Sequence, residues 1–281
     1  VICIGMGNEG ASAGHTAGIL KENTEERIPL AVQMKETAIN VQIWKSYHDI
    51  VDISLISPAG VQIGPIPEVI GTQRFVVGDT EILLYYGEPS PFHVSQEIFI
   101  EFLPKDSYIT PGIWQFVLTP RKIVTGEYDL WLPSENVLNR GTAFRYPTER
   151  GTLTIPSTSQ RVISVGAYDS LTFAYADFSG RGGLEGESKP DLVAPGVDIT
   201  APTPSGIYQT FTGTSFATPF VSGAAALMME WGIVRGNDPY LYGEKVKAYL
   251  RRGARPLPGF TEYPNPQVGY GALCLRDSLP E

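Results

Sequence analysis

The sequence has few cysteines and no long apolar run, and each shortage excludes a class of protein. Cys3 and Cys274 are the only cysteines among 281 residues, which excludes a disulfide-stapled scaffold. The two could form one bridge, but each lies in an apolar stretch, which favours buried free thiols. The longest apolar run, 223–234, contains Glu230 and is shorter than the roughly 20 apolar residues that cross a bilayer. We therefore predict no membrane span.

Positive charge is also scarce. Lys and Arg number 21 against 30 Asp and Glu, so the formal net charge is −9. Nucleic acids and anionic membranes are polyanions, and a chain this acidic is not expected to bind either. The three histidines, His15, His48 and His93, do not form a cluster with the cysteines at metal-ligand spacing. No metal site is readable, and we predict no cofactor.

Apolar residues, glycine and proline are plentiful. The apolar fraction is 42%, enough for a sizeable core, and 30 Gly with 23 Pro favour a loop-rich β or α/β protein. The length predicts about two domains. The chain opens with Val1 inside an apolar run, without Met and without the basic start of a signal peptide. We expect it to be a piece of a longer protein.

The pattern of short apolar segments divides the chain. Residues 1–4 form a β-prone run that ends in glycines, which is typical of a buried parallel strand with a ligand-binding loop at its carboxyl end. From 28 to 148, short strands alternate with turns, which predicts an inserted β-sandwich or jelly-roll domain. These strands are predicted at 41–44, 50–56, 74–77, 82–86, 97–102, 113–118 and 128–132, and the last two resemble a hairpin-like pair.

The remaining residues, 1–27 and 149–281, are predicted to form one discontinuous α/β domain around a parallel sheet. Buried strands are expected at 162–165 and 191–196, and an apolar helix at 216–231. Pro219 should fall in the first turn of that helix, where it is tolerated. A second helix should begin with Asp238 as its N-cap and Pro239 as its first residue.

Ser215 stands at the predicted junction between a loop and the apolar helix. Unpaired N–H groups at a helix start can bind developing negative charge, and Gly213 permits a close backbone approach. A nucleophilic serine would suit this position. From the local pattern alone, an ordinary Ser or Thr N-cap on a core helix is the favoured interpretation.

A longer pattern decides between these interpretations. The segment 211–227, with its Gly-Thr-Ser, its Ala and Pro, and its Gly-Ala-Ala-Ala run, resembles the nucleophile segment of the subtilisin-like serine proteases, the subtilases. The segments 7–10, 162–167, 178–180 and 191–196 resemble further blocks of that family, in family order. Phe220 departs from the pattern, because the family usually has histidine after this proline.

The resemblance implies a role for each matched residue. Ser215 would be the nucleophile, and Asn8 would donate its side-chain amide to the oxyanion. Gly7, Glu9, Gly213 and Thr214 would line the substrate site, and the Glu9 carboxylate would favour a basic substrate side chain. Without the family context, Asn8 would be a turn residue and Glu9 a solvated surface charge.

The resemblance also implies that two catalytic residues lie outside this sequence. In subtilases the triad order is Asp, His, Ser, and both the Asp and the His precede the oxyanion Asn. Only seven residues precede Asn8, and none of the three histidines stands in a family position. We expect this chain alone to be nearly inactive unless the missing N-terminal part of the same protein supplies the base.

The insertion narrows the resemblance further. About 120 residues separate the oxyanion loop from the next strand. An insertion in this position is similar to that of the Csp germination proteases of spore-forming clostridia, which act on a cortex-lytic enzyme precursor. The tail 265–273 also resembles that group. A general extracytoplasmic subtilase with an accessory jelly roll is the alternative. Both imply a protein or peptide substrate and an extracytoplasmic or spore-associated location.

Two functions of other classes stay open at the level of sequence. A pseudoprotease of the same family would bind and regulate without hydrolysis, if its upstream Asp or His were replaced. Exposed aromatic residues of the inserted domain could instead bind a glycan, although such residues are more often part of a core. The retained Ser215 and Asn8 favour the enzyme.

Overall fold

The computed structural model describes residues 1–183 and 188–280. The chain forms two compact units. The first unit consists of Val1–Ala11 and Glu149–Glu281, and the second of Ser12–Thr148.

Strands dominate the chain, and helices occur only after residue 134 among the described residues. The strands are β1 (Cys3–Gly5), β2 (His15–Ile19), β3 (Glu26–Val32), β4 (Ile39–Ser46), β5 (Ile50–Ile56), β6 (Gln62–Ile66), β7 (Gln73–Val77), β8 (Thr80–Tyr86), β9 (Ser95–Pro104), β10 (Gly112–Lys122), β11 (Glu127–Trp131), β12 (Ala143–Phe144), β13 (Ile163–Tyr168), β14 (Leu192–Pro195), β15 (Ile199–Pro202) and β16 (Tyr208–Phe211). The helices are α1 (Thr214–Met229), α2 (Gly243–Arg252) and α3 (Leu275–Ser278), with a short 3₁₀ turn at Glu135–Val137 and a π-helical segment at Glu230–Val234.

A three-stranded parallel sheet organises the first unit. Its order is β1-β13-β14, and Cys3 pairs with Ile163, Ile4 with Ser164 and Gly5 with Val165. The strands are apolar because helix α1 covers them, as expected for a parallel sheet. The helix buries a row of mostly small side chains against the sheet, Ala217, Val221, Ala224, Ala225 and Met228. The alanines let the helix approach the strands closely.

Helix α1 begins earlier than the apolar run predicted. Its first residue is Thr214, so Pro219 lies inside the helix and not in the first turn. Because proline has no N–H, the carbonyl of Ser215 loses its usual partner four residues along. By length and composition Thr214–Val234 could cross a bilayer, but a core helix passes the same test, and α1 packs on the sheet.

The start of the next helix differs from the prediction. Helix α2 begins at Gly243, with Tyr242 as its N-cap. Asp238 instead forms a turn, in which the amide of Leu241 donates to its carbonyl, and its carboxylate pairs with Lys245 at 2.5 Å. An acidic residue followed by proline is compatible with a helix N-cap and also with a turn. Burial of Leu241 accompanies the turn.

Two antiparallel sheets form the second unit. One has the order β12-β3-β10-β5-β6 and the other β2-β11-β4-β9-β8-β7. Strand β9 shows why these segments are strands, because Gln96, Ile98, Ile100 and Phe102 alternate with more exposed residues and point into the core. Buried side chains from both sheets form one hydrophobic cluster. The finer assignment as a jelly roll stays a prediction.

The predicted hairpin-like pair is wrong. Strand β10 pairs with β3 and β5, whereas β11 pairs with β2 and β4 in the other sheet. The chain therefore crosses between sheets at 123–126. The buried carboxylate of Asp49 holds this crossover, since it accepts hydrogen bonds from the amides of Val124, Thr125 and Gly126 and from the Thr125 hydroxyl. Burial alone would raise the pKa of Asp49, but these donors outweigh it and lower the pKa.

The first boundary between the units also differs from the predicted one at residue 27. Strand β2 pairs with β11 along its whole length, and β3 begins at Glu26 and pairs with β10. Residues 12–27 therefore belong to the sheets of the second unit. The sequence pattern did not reveal β2, because Gly14 and Gly18 made this segment resemble a loop.

A buried charge cluster joins β13, β14 and α2 in the first unit. The Asp191 side chain is 0% exposed and accepts hydrogen bonds from the Ser164 amide at 2.6 Å and from the Arg251 Nε at 2.6 Å. The Nζ atoms of Lys189 and Lys247 lie 3.1 and 3.3 Å from its carboxylate. Burial by itself raises the pKa of Asp191, but the Ser164 amide and the three cations outweigh it, so the pKa lies below its ordinary value.

This cluster predicts a large loss of stability on neutralising Asp191. The Asp191→Asn variant of the 281-residue chain should lose about 3–5 kcal/mol of unfolding free energy, because two lysines would stay buried without their counter-charge. Urea unfolding measures this loss. The control Asp198→Asn changes an exposed residue and should stay within about 0.5 kcal/mol.

The stabilisation that Asp191 provides should depend on pH. Since the pKa of Asp191 is lower in the folded state, its stabilisation is present above pH about 4 and is lost as the pH falls through the folded value. Equal stability of the two variants at neutral pH would contradict this account of the cluster.

Candidate active site

Ser215 is the second residue of α1 and its side chain is exposed. Gly213 precedes the helix as its N-cap with φ 151° and ψ 159°, and the amide of Phe216 donates to the Gly213 carbonyl at 3.0 Å. The first amides of a helix have no intrahelical acceptor, and they lie at the positive end of the helix dipole. Ser215 therefore stands where backbone donors can stabilise a developing negative charge.

Asn8 follows β1 and reaches the start of the same helix. Its Oδ1 accepts hydrogen bonds from the Thr214 amide at 3.0 Å and from the Thr214 hydroxyl at 3.2 Å. A backbone amide can only donate, so the atom that faces it must be the oxygen, and this fixes the orientation of the side chain. The Nδ2 group then lies beside Gly213, where an added Cβ would be 3.2 Å from it.

Two glycines permit this close arrangement. The amide of Gly213 donates to the Gly196 carbonyl at 2.8 Å, which ties the helix start to the residue after β14. Gly7 has φ 94°, and an added Cβ would lie 2.6 Å from the Thr154 side chain. The Gly7 carbonyl accepts from the Gly180 amide at 3.0 Å. The loop that carries Asn8 is thus held at Gly7, and the helix start that Asn8 contacts is held at Gly213.

The structure brings together five of the six predicted site residues: Gly7, Asn8, Gly213, Thr214 and Ser215. Thr214 is 2% exposed and its side chain holds Asn8, so its role in substrate binding stays a prediction. Glu9 is half-buried and follows Asn8 directly. Its role in substrate binding stays a prediction.

One contributor was not predicted from the sequence. The hydroxyl of Thr218 donates to the Thr214 carbonyl at 2.8 Å, and an added Cβ on Gly5 would approach the hydroxyl oxygens of Thr214 and Thr218 within 3.0 and 3.1 Å. Thr218 therefore stabilises the turn that presents Thr214 to Asn8. The four-residue spacing of the two threonines was the available signal, because such hydroxyls bond back along a helix.

None of the three histidines belongs to the first unit. His15 lies in β2, where its Nε2 is 2.8 Å from Asp129 Oδ1 and its ring stacks on Trp131. His48 contacts Ser46, and His93 packs against Trp44. The described residues also hold no group of three or more His, Cys, Asp or Glu side chains that could bind a metal ion.

Comparison with known proteins identifies the first unit. Residues 146–271 match the sequence profile of the Subtilase family, Peptidase_S8. The chain carries a subtilase domain. The serine protease AprX of Bacillus subtilis is 34% identical over 150 residues, which cover 46% of this chain and 32% of AprX. An intracellular serine protease of Paenibacillus polymyxa is 38% identical over 105 residues, which cover 36% of this chain and 30% of that protein.

A solved structure extends the likeness beyond the subtilase domain. The CspB protease of Clostridium perfringens matches with a TM-score of 0.91 and 40% identity, over 99% of this chain and 58% of that chain. The fold is therefore that of a subtilisin-like protease with mixed sheets, and the match includes the second unit. The chain spans about a third of AprX and 58% of the CspB chain.

The geometry before the subtilase helix predicts opposite effects for two glycine substitutions in the 281-residue chain. Gly213→Ala should lower the unfolding free energy by about 1–3 kcal/mol, because φ 151° disfavours any side chain and Asn8 would have to move. Gly223→Ala on the open face of α1 should raise it by about 0.5–1 kcal/mol through helix propensity. Thermal and urea unfolding measure both. A neutral Gly213→Ala would contradict the close approach.

Proposed function

We propose that this chain is the nucleophile-bearing part of a serine endopeptidase. The observation that carries the proposal is the Asn8 side chain, which two Thr214 donors orient so that its Nδ2 lies at the start of the helix that presents Ser215. Ser215 Oγ would attack the carbonyl carbon of a peptide bond. Asn8 Nδ2 and the Ser215 amide would donate hydrogen bonds to the oxygen that becomes negative.

The attack requires a base that accepts the Ser215 proton. An alcohol of ordinary acidity is a weak nucleophile at neutral pH, and the first unit contains no histidine. We infer that the histidine and its orienting aspartate come from residues outside this sequence, as the family order implies. This chain alone should then be nearly inactive. Its partner in catalysis would be the N-terminal part of the same protein.

The substrate we propose is a protein precursor. The likeness to the CspB protease over nearly the whole chain supports a Csp-type role, in which the enzyme processes a cortex-lytic precursor during spore germination. An extracytoplasmic or spore-associated location follows from that role. The second unit, which we propose to be a jelly roll, would stabilise the catalytic unit or guide the substrate.

A regulatory pseudoprotease is the second candidate. It would apply if the upstream Asp or His were replaced. Phe220, at the position where the family usually has histidine, is the departure that favours a divergent branch. Such a protein would keep the Ser215 and Asn8 geometry but bind its target without hydrolysis. The two candidates differ in the reactivity of Ser215.

Labelling with a fluorophosphonate probe distinguishes them. The full-length protein should be labelled at Ser215, and the 281-residue chain alone should react slower by about 10⁴ or more, since the base is missing. Mass analysis of the modified peptide locates the label. Ser215→Ala should abolish it, and the matched control Ser222→Ala, which changes an exposed serine of the same helix, should not.

Two results would contradict this scheme. Equal labelling of the 281-residue chain would mean that a base lies within the present sequence. A folded full-length protein that is not labelled would overturn the endopeptidase and leave the regulatory candidate.

The proposed role of Glu9 predicts a change in specificity. In the full-length enzyme, Glu9→Gln should lower the ratio of kcat/KM for substrates with Arg and with Leu before the scissile bond by about two- to fivefold, the range for a partly solvated charge pair. Peptide hydrolysis measures the ratio. Glu262→Gln removes an exposed carboxylate elsewhere in the first unit and should leave it unchanged. An unchanged ratio in Glu9→Gln would remove the assignment.

A further inference from the structure

The first unit contains a polar cavity of about 380 Å³ beside the buried Asp191 cluster. Lys189, Lys247 and Arg251 line it, and Gln160, Ser188 and Glu244 contribute to the rest of its wall. Residues 244, 247 and 251 lie on one face of α2, which turns these charges toward the same space. The proposed nucleophile and oxyanion donor are not among the lining residues.

Among the described residues around this cavity, the charges do not balance. The three cations face the carboxylates of Asp191 and Glu244, so one positive charge is left over among these groups. The Lys189 and Lys247 side chains are only 4% and 5% exposed, although buried lysines are rare unless they are paired. A buried positive charge without a counter-charge is unfavourable, and an anion in the cavity would relieve it.

Hydrogen-bond donors also stay available. Lys189 Nζ donates to the Val162 carbonyl at 3.0 Å and to Asp191 Oδ2 at 3.1 Å, which uses two of its three hydrogens. Arg251 directs Nε and Nη2 at Asp191 Oδ1. Within the described part of the chain, its Nη1 group has no hydrogen-bonded acceptor. Among the described residues, one hydrogen of Lys189 Nζ and the Nη1 group of Arg251 therefore have no acceptor.

We propose that this cavity binds a small anion that carries a carboxylate or phosphate group. Arg251 and Lys189 would donate hydrogen bonds to the anion, and Ser188 and Gln160 line the cavity with further polar groups. The site lies at the start of β14, whereas the residue after the other end of this strand, Gly196, bonds to Gly213. It is therefore a second site of the subtilase domain, at the opposite end of the strand from Ser215.

The titration of Lys189 is consistent with such a site. Burial lowers the pKa of this lysine, Asp191 partly restores it, and the neighbouring Lys247 and Arg251 lower it further. A bound anion would raise this pKa again. It would also stabilise the folded unit, because the unfolded chain does not assemble the three cations.

Calorimetric titration tests the proposal on the 281-residue chain, with inorganic phosphate and citrate as probes and sodium chloride at matched ionic strength as the blank. We expect saturable binding of at least one probe with one site per chain. Tighter binding of phosphate would assign a phosphate ligand, and tighter binding of citrate a carboxylate. No saturable binding of either probe would overturn the proposal.

Substitutions at two exposed positions of the cavity wall should change the anion affinity in opposite directions and leave the buried cluster intact. Glu244→Gln removes a negative charge from the wall and should tighten binding by about two- to fivefold. Ser188→Glu adds a negative charge and should weaken it by a similar factor or more. Glu262→Gln is the matched control, because this exposed carboxylate does not line the cavity.

The comparison between these variants separates a site from general charge attraction. Unchanged affinity in Glu262→Gln, with opposite shifts in the other two variants, supports the cavity. Equal shifts in Glu244→Gln and Glu262→Gln would mean that only net charge matters, and would overturn it. Circular dichroism confirms that each variant is folded. Failure of Ser188→Glu to fold would leave the Glu244→Gln comparison as the deciding one.

Discussion

The parallel pairing of β1 with β13 is the constraint on which the candidate site depends. It places Cys3–Gly5 beside Ile163–Val165, although the whole second unit lies between these strands in the sequence. The loop after β1 then carries Asn8 to Thr214, its hydrogen-bonding partner 206 residues further along the chain. Pairing strands so far apart in the sequence costs loop-closure entropy. The burial of apolar side chains between α1 and the sheet helps to offset this cost.

Hydrogen bonds then convert this approximate proximity into a defined geometry. The Thr214 amide and hydroxyl both donate to Asn8 Oδ1, and only one orientation of the side-chain amide satisfies them. This orientation places Nδ2 beside Gly213, whose missing side chain leaves room for it. The proposed oxyanion donor is thus preorganised in the described structure, and the proton acceptor is what the proposed mechanism still needs from elsewhere.

Buried carboxylates have a comparable structural role in both units. Asp191 connects β14, the Ser164 amide of β13 and the cations of α2, while Asp49 holds the crossover that leads from β10 to β11. Each accepts several hydrogen bonds, which is the condition under which a buried charge is tolerated. The difference lies in their surroundings. The charge of Asp49 is stabilised mainly by hydrogen bonds from backbone amides, whereas that of Asp191 faces three cations.

The sequence by itself determined the family, the position of the segment that carries Ser215 and most of the strands. Local patterns carried these conclusions: alternation in segments such as 97–102, apolar runs for the parallel strands, and the Gly-Thr-Ser segment before an apolar helix. Tertiary structure decided what local patterns leave open. The assignment of β10 and β11 to different sheets, the inclusion of β2 in the second unit and the start of α2 at Gly243 all depend on distant partners. The orientation of Asn8 and the surplus positive charge beside Asp191 arise only when residues far apart in sequence are brought within hydrogen-bonding distance.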